Sequence, residues 1–255
     1  MDVFIKAGSW KGPLRKNNED MASIAGIMLR DAVKSLDTDT NGCVPLYLFV
    51  ADGMGGHQNG EQASLFLQEH LRYCFTMGDI REESFEEDIT REIGYVAAKL
   101  NARAVCEGQT RAMGTTLAGV VFCREHIYLV GVGDSRVYIY RDGFLTQFST
   151  DHEDIDGLLT NCIGAGIKPF VDVIDITSKV ADDDMIVICS DGLTDMVPDD
   201  EIEHILASSA NPLEDLYERA CINGGEDNVS IILAKVGSGF SCDGPDDDGR
   251  YDAYV

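Results

Sequence analysis

Apolar positions along this chain alternate between two periods. Residues 45–51, PLYLFVA, are almost wholly apolar and predict a strand buried on both faces. A polar, Gly-rich break follows. Within residues 62–75, Ala63, Phe66, Leu67, Leu71, Cys74 and Phe75 then recur at helical spacing. Phe85, Ile89, Ile93, Ala97 and Leu100 predict a second amphipathic helix. From Thr115 onward strands dominate: TTLAGVVF, HIYLVGV and VYIYR are short and rich in β-branched or aromatic residues. Asp142-Gly143, between VYIYR and FLTQF, fits a two-residue type I′ hairpin, because Gly tolerates the positive φ that turn needs. MIVICS, preceded by the acidic turn Asp182-Asp183-Asp184, predicts a further buried strand. Asn211 and Pro212 read as the N-cap and first residue of a helix over Leu213, Leu216, Tyr217 and Ala220. VSIILAKV predicts a closing strand, and no repeat or clear linker interrupts the series.

After Val236 the character changes. GSGFSCDGPDDDGRYDAYV is Gly- and Asp-rich with almost no aliphatic side chains, which predicts a disordered acidic tail over residues 237–255. The 255 residues suffice for one large domain or two small ones, and 44% hydrophobic with 25% charged residues is a globular balance. A net charge of -25 repels nucleic acid and anionic membranes, so neither is expected as a partner. The same field attracts divalent cations, and a phosphorylated substrate would need basic residues at the site itself. No apolar run reaches the ~18–20 residues of a membrane helix, and MDVFIKAGSW lacks the basic start and apolar stretch of a signal peptide. The eight cysteines form no CxxC pair. Cys74, Cys123 and Cys189 fall inside apolar segments, as buried free thiols of a reducing, cytoplasmic compartment would.

Candidate chemistry lies in where the aspartates fall. Asp52 follows PLYLFVA directly, in DGMGGH. Asp134 follows HIYLVGV, in GDSR. Asp191 follows MIVICS, in SDGLTD, and Asp227 stands in GGEDN just before VSIILAKV. Any one Asp-Gly is an ordinary tight turn, and Asp142-Gly143 is assigned no chemistry. Several carboxylates at the edges of buried strands, most beside a glycine, suit the binding of hard cations such as Mg2+ or Mn2+. A neighbouring Gly lets the backbone approach closely enough for a carbonyl to join the ligand set. RKNNED adds Arg15, able to fork two phosphate oxygens, and the carboxylates of Glu19 and Asp20.

RKNNED, LFVADGMGGHQNGEQAS, MGTTL, GVGDSRVYIYRDG, LTQFSTDH, ICSDGLTDMVPDDEI and GGEDNVSII occur in this order over residues 8–236. Together they resemble the metal-dependent Ser/Thr protein phosphatases, the PPM or type 2C family, in its bacterial form. The resemblance implies an α+β fold, a four-layer α-β-β-α sandwich, with residues 1–236 as the catalytic domain. It implies two Mn2+ or Mg2+ ions bridged by Asp52, with the Gly53 carbonyl on one of them. Asp191 and Asp227 would complete the first metal, and Glu19 and Asp20 would hold the second, directly or through water. Asp134 resembles the carboxylate that binds a third ion in bacterial members. The implied reaction is in-line attack on phosphorus by a metal-activated water, with Arg15 neutralising phosphoryl oxygens and no phosphoenzyme. No cysteine opens a C-x5-R phosphate loop, so a cysteine-based phosphatase is excluded. The implied partners are phosphorylated proteins, a Ser/Thr kinase and that kinase's substrates, in bacterial signalling, with a monomer as the default.

His57 is either a general acid for the leaving alkoxide or a structural residue. It lies five positions after the bridging aspartate, as in bacterial members, whereas eukaryotic members place their acid histidine where this chain has Met54. His152 is expected to order a turn, and His70, His126 and His204 to be structural or at the surface. The segment EDIDGLLT, between His152 and Asn161, is shorter than the mobile flap most bacterial members carry there, which implies a more open cleft. DTDTNG imitates the start of an EF-hand loop through Asp37, Asp39, Asn41 and Gly42, but its twelfth position is Leu48 in place of the bidentate Glu. A hairpin-like turn is expected there. Two competing functions keep the same cleft: a non-catalytic regulator that binds a phosphoprotein, and an enzyme for a small phosphometabolite. GVGDSR precedes a strand where a dinucleotide loop would open a helix, so a dinucleotide site is discarded.

Overall fold

The computed structural model of the chain describes residues 1–40, 45–55, 58–106 and 113–237. In chain order the first strands are β1 (Asp2–Trp10), β2 (Met21–Ile24), β3 (Ile27–Leu29), β4 (Ala32–Asp39), β5 (Leu46–Ala51) and β6 (Gly53–Met54). Helices α1 (Gln58–Met77) and α2 (Phe85–Cys106) follow. Then come β7 (Gly114–Thr115), β8 (Leu117–Cys123), β9 (His126–Val132), β10 (Arg136–Arg141), β11 (Phe144–Gln147), β12 (Ile163–Gly164), β13 (Asp172–Asp175) and β14 (Met185–Cys189). Helices α3 (Asp191–Thr194), α4 (Asp199–Ser208) and α5 (Pro212–Ile222) lead to the closing strand β15 (Val229–Val236).

Two antiparallel sheets stack face to face. One runs β11-β10-β14-β15-β1-β4 and the other β13-β9-β8-β5-β2-β3, with a small β12-β7-β6 sheet at one end. The layering follows from strands that are apolar on both faces. Along β5, Leu46, Leu48 and Val50 enter the core between the sheets, while Tyr47, Phe49 and Ala51 meet α1 and α2. Along β15, Ile232, Ala234 and Val236 face the other sheet, while Val229, Ile231 and Leu233 pack under α3, α4 and α5. A strand of period two with both faces apolar has to be covered twice, once by a sheet and once by helices. The result is the expected α-β-β-α sandwich. Trp10 stacks on Tyr217 at 4.5 Å and fastens the end of β1 to α5.

Several expectations change in detail. Both long helices extend past the apolar stretches that announced them, α1 at both ends and α2 to Cys106. TTLAGVVF is broken at Thr116, between β7 and β8, for a reason that emerges at the cleft. Asp142 and Gly143 have φ of 52° and 88° and bring Arg141 opposite Phe144, so the type I′ hairpin is present. Asn211 occupies the N-cap of α5, but its side chain makes no capping bond. The expected turn at Asp37 and Asp39 is instead the end of β4, paired with β1 through Asp37↔Phe4 and Asp39↔Asp2. Alternation explains it: Leu36 packs on the core while the two aspartates face solvent on an edge strand. Asn41 and Gly42 of that segment, His57, and the tail beyond Gly237 lie outside the described residues. Among the described residues no helix is long and apolar enough to cross a membrane.

Leu48 is fully buried between the sheets. Leu48→Ala is expected to lower the urea unfolding midpoint by an amount equivalent to about 2–5 kcal/mol, with the m-value unchanged. Val33→Ala, on the exposed edge, is expected to stay within about 0.5 kcal/mol of wild type.

Candidate active site

Antiparallel pairing places the end of one strand beside the beginning of its neighbour, and this gathers the acidic residues at one end of the sandwich. Asp52 leaves the end of β5, beside the start of β2 and hence beside Asp20, through the pair Met21↔Ala51. Asp191 leaves the end of β14, beside the start of β15 and hence beside Asp227, through Cys189↔Ile231. Trp10 pairs with Val229, so the loop carrying Arg15 and Glu19 crosses the same end. The cleft has a volume of about 350 Å3 and is lined by Arg15, Glu19, Asp52, Gly53, Met54, Gly55, Thr116, Asp134, Leu159, Asp191, Asp227 and Asn228. Asp20 lies beneath it, fully buried. All the acidic residues anticipated above are thus together, with Gly53 and Arg15 among them.

Short side chains pin the backbone of Asp52 and Glu19 and the carboxylate of Asp20. The Asp52 N–H donates to Thr116 Oγ1 at 3.0 Å, and the Asp52 carbonyl accepts from the Thr115 hydroxyl and the Thr116 N–H, both at 2.8 Å. Thr116 leaves the strand ladder to make these bonds, which accounts for the break in TTLAGVVF. Ser190 Oγ donates to Asp20 Oδ2 at 2.8 Å. Asn228 is a hub: its Oδ1 accepts the Glu19 N–H at 2.8 Å, and its Nδ2 donates to the carbonyls of Lys11 and Asn17 at 2.6 and 3.0 Å. The Asn228 N–H also donates to Asp227 Oδ1 at 2.7 Å. Arg30 donates from Nε to the Asp20 carbonyl and from Nη2 to the Glu61 carbonyl and Ser64 Oγ, each at 2.9 Å, tying the first turns of α1 to the acidic loop. Sequence reasoning missed Thr116, Ser190, Asn228 and Arg30. For the first three the available signal was a small polar residue within one or two positions of a cleft carboxylate or of its strand partner.

Two glycines are required by close approach. A Cβ on Gly53 would lie 2.1 Å from the Gly60 carbonyl oxygen and 2.5 Å from that of Glu19. A Cβ on Gly192 would lie 1.9 Å from the Asn228 carbonyl oxygen. Each follows a cleft aspartate and lets the backbone of the next segment close over it.

His152 does more than order a turn. Its Nδ1 accepts from the Gly133 N–H at 3.0 Å and from Asn161 Nδ2 at 2.9 Å, so the proton sits on Nε2, which donates to Asp172 Oδ2 at 3.0 Å. The residue after Gly133 is Asp134, so the imidazole holds the backbone next to that carboxylate. The short segment after His152 closes on itself: Asp154 Oδ1 accepts the N–H groups of Asp156 and Leu158, and Leu159 reaches the cleft wall. His70 and His126 pair with Glu92 and Asp175 away from the cleft, and His204 lies on α4.

The electrostatics are those of carboxylates forced together. Burial is the largest cause in every case. It pushes Asp20 up to about 6, against attenuating bonds from Ser190 and Ser230, with the charge of Asp227 raising it further. Asp191 is pushed up to about 7, the nearby Asp134 adding to burial, and Asp134 itself to about 6. Asp52 lies well above the ordinary carboxylate range, through burial and then the charges of Asp20, Asp191 and Asp227. Asp227 is also raised by burial, less so because its neighbour's N–H and Arg15 oppose the shift. Arg15 pairs with Asp227 and donates to the Glu226 carbonyl at 2.9 Å from the half-exposed rim. Among the described residues, Asp20 Oδ1 and Asp191 Oδ1 are buried and have no hydrogen-bond partner. Orphaned carboxylate oxygens, in a cluster whose members raise one another, form a donor set that a hard divalent cation relieves.

Comparison with known proteins points to one family. The family model described as protein phosphatase 2C matches residues 20–222. The serine/threonine phosphatase stp of Listeria welshimeri is 31% identical over 210 residues, covering 74% of this chain and 83% of that protein. The catalytic domain of the serine/threonine protein phosphatase PstP, solved in complex with two manganese ions, superposes with a TM-score of 0.71 at 27% identity, covering 93% of this chain and all of that one. The S. agalactiae serine/threonine phosphatase shares the fold at a TM-score of 0.76 and 23% identity, over 92% and 99% of the two chains.

A carboxyl group whose native pKa is raised keeps its proton to higher pH when folded than when unfolded, so its contribution to stability is lost as pH rises through the native value. For Asp191 that window runs from the ordinary 3.8 to about 7. In EDTA, Asp191→Asn is therefore expected to raise the thermal unfolding midpoint. Differential scanning calorimetry should find the gain small near about pH 4 and largest at neutral pH. A variant less stable than wild type at neutral pH in EDTA would refute the electrostatic account.

Proposed function

This chain belongs to the protein phosphatase 2C family and is a serine/threonine phosphatase, and on that premise we propose that its acidic cleft hydrolyses phosphoserine and phosphothreonine in proteins at a two-cation site. The supporting observation is the set of buried carboxylates with unpartnered oxygens at Asp20 and Asp191. Asp52, which feels the charges of Asp20, Asp191 and Asp227, would help hold the cations, Mn2+ or Mg2+, with the Gly53 carbonyl beside it. Asp191 and Asp227 would complete one position, and Glu19 and Asp20 the other. Asp134, whose charge is felt at Asp191, would serve a third ion. When bound, the cations would supply Lewis acidity at the phosphoryl group and lower the pKa of the attacking water.

The chain's own residues do the rest. Arg15 presents its guanidinium at the rim, where its fork can bind phosphoryl oxygens that the chain's net charge of -25 would otherwise repel. Thr116 and Asn228 hold Asp52 and Glu19 against the repulsion of their neighbours, so the donor set is assembled before the substrate arrives. Residues 1–236 are proposed as the catalytic domain, because the first strand pairs with the last and the cleft draws on both. The proposed site needs the residues of one chain only, so a monomer is the expected default. The expected protein substrates are those of a partner Ser/Thr kinase.

The test is phosphate release from a phosphothreonine peptide with Mn2+, with Mg2+ and with EDTA. Wild type is expected to need metal, and Asp191→Ala to lose at least about a hundredfold in kcat. A folded wild type inactive with either metal would leave a phosphoprotein-binding regulator as the reading. Arg15→Ala is expected to cost about 10²–10³ in kcat/KM, with Arg15→Lys recovering only part of it because an ammonium cannot fork two oxygens.

A further inference from the structure

Away from the cleft, a mixed donor set lies between the two helices that cover the second sheet. His70 and Cys74 are one turn apart on α1 and so share a face, and Glu92 comes across from α2. His70 Nε2 lies 2.9 Å from Glu92 Oε2, and Cys74 Sγ lies 3.5 Å from each of them. Zinc bonds of about 2.3 Å to sulfur and about 2.0–2.1 Å to nitrogen or oxygen put donor atoms on a tetrahedral face about 3.5 Å apart for the pairs with sulfur and about 3.3 Å for nitrogen with oxygen. The observed triangle already has the two sulfur edges, and the third edge needs to open by only a few tenths of an ångström. The donors are also held from behind. Arg91 Nε donates to the other oxygen of Glu92 at 2.9 Å, which turns Oε2 toward the site, and the His70 ring stacks on Tyr95 with centroids 4.9 Å apart.

We propose that His70, Cys74 and Glu92 form a binding site for a zinc-class cation that clamps α1 to α2, with a fourth position left to water. The chemistry separates it from the cleft. The carboxylates of the cleft offer oxygen and suit hard cations, whereas a thiolate, an imidazole and a carboxylate together select zinc or cobalt over magnesium or manganese. Burial and the charge of Glu92 push the Cys74 thiol up to about 12, so without a cation it is an inert protonated thiol. A bound divalent ion supplies the charge that would displace its proton. The clamp acts on the helix whose first turns Arg30 and Ser64 fasten to the Asp20 loop, so occupancy would stiffen a support of the cleft without touching it. The inference is independent of the phosphatase reading.

The experiment is a Co2+ titration of the full chain, followed by near-ultraviolet absorption. The expected result is a thiolate-to-cobalt charge-transfer band that saturates at a single equivalent, is displaced by Zn2+, persists in Asp191→Ala and is absent from Cys74→Ser. Glu92→Gln keeps the side-chain volume and reads the same site should Cys74→Ser prove unstable; it is expected to weaken cobalt binding at least about tenfold. The inference is overturned if folded wild type shows no such band at saturating Co2+. It is equally overturned if the band survives intact in Cys74→Ser, or in Glu92→Gln with unchanged affinity, either of which would assign it to another cysteine or leave His70 and Glu92 as a plain ion pair.

Discussion

Mutual repulsion among buried carboxylates is the constraint around which this structure is built. Asp20, Asp52, Asp191 and Asp227 converge on one end of a β-sandwich, where burial raises every one of them and the charges of Asp20, Asp191 and Asp227 raise Asp52 further. Left to itself, such a cluster would push its supporting loops apart. It persists because the loops are pinned by groups that cannot easily yield: strand ends in fixed register, a Thr pair, an Asn whose side chain bonds three backbone groups of one loop, and an arginine anchored on a helix. The apolar core between and outside the sheets supplies the stability that this arrangement costs.

The same logic explains where small residues are demanded. Gly53 and Gly192 immediately follow cleft aspartates, and at both the incoming backbone is closer than any side chain could allow. Close approach is what brings Gly60, Glu19 and Asn228 within reach of the acidic residues ahead of those glycines. An acidic cleft built this way is closely packed in its backbone and electrostatically tense in its side chains, which suits the cation site proposed for it.

Much of this was legible in the sequence, and the reasons for what was not are specific. β5, β9, β14 and β15 are apolar on both faces, so period and composition announce them, and the aspartates at their ends mark the cleft. β1 was not recognised: VFIKAGSW alternates, but Lys6 and Ser9 interrupt its apolar character, and only pairing with β15 shows why Val3, Ile5 and Ala7 are fully buried. β4 reads as an acidic turn because Asp37 and Asp39 face solvent on an edge strand, and local chemistry cannot distinguish that from a loop. Thr116, Asn228 and Arg30 act through partners 64, 209 and 10 residues away. Local spacing shows at most a small polar residue beside a carboxylate, as at Thr116 and Asn228, and not the partner it bonds, which is why the carboxylates were easier to read from sequence than their supports.

The pairing of β1 with β15 bears on the order in which the molecule is made. The first strand sits between β15 and β4, so during synthesis it has only β4 beside it until residues 229–236 have emerged. Asp227 and Asn228, which enter the cleft immediately ahead of that strand, arrive at the same moment. Contacts of such sequence separation are slow to form, because a long loop must close before any of them is rewarded. The acidic cleft and the sheet thus both depend on β15, and a nascent chain still lacking it would hold the acidic loops without the strand that gathers them.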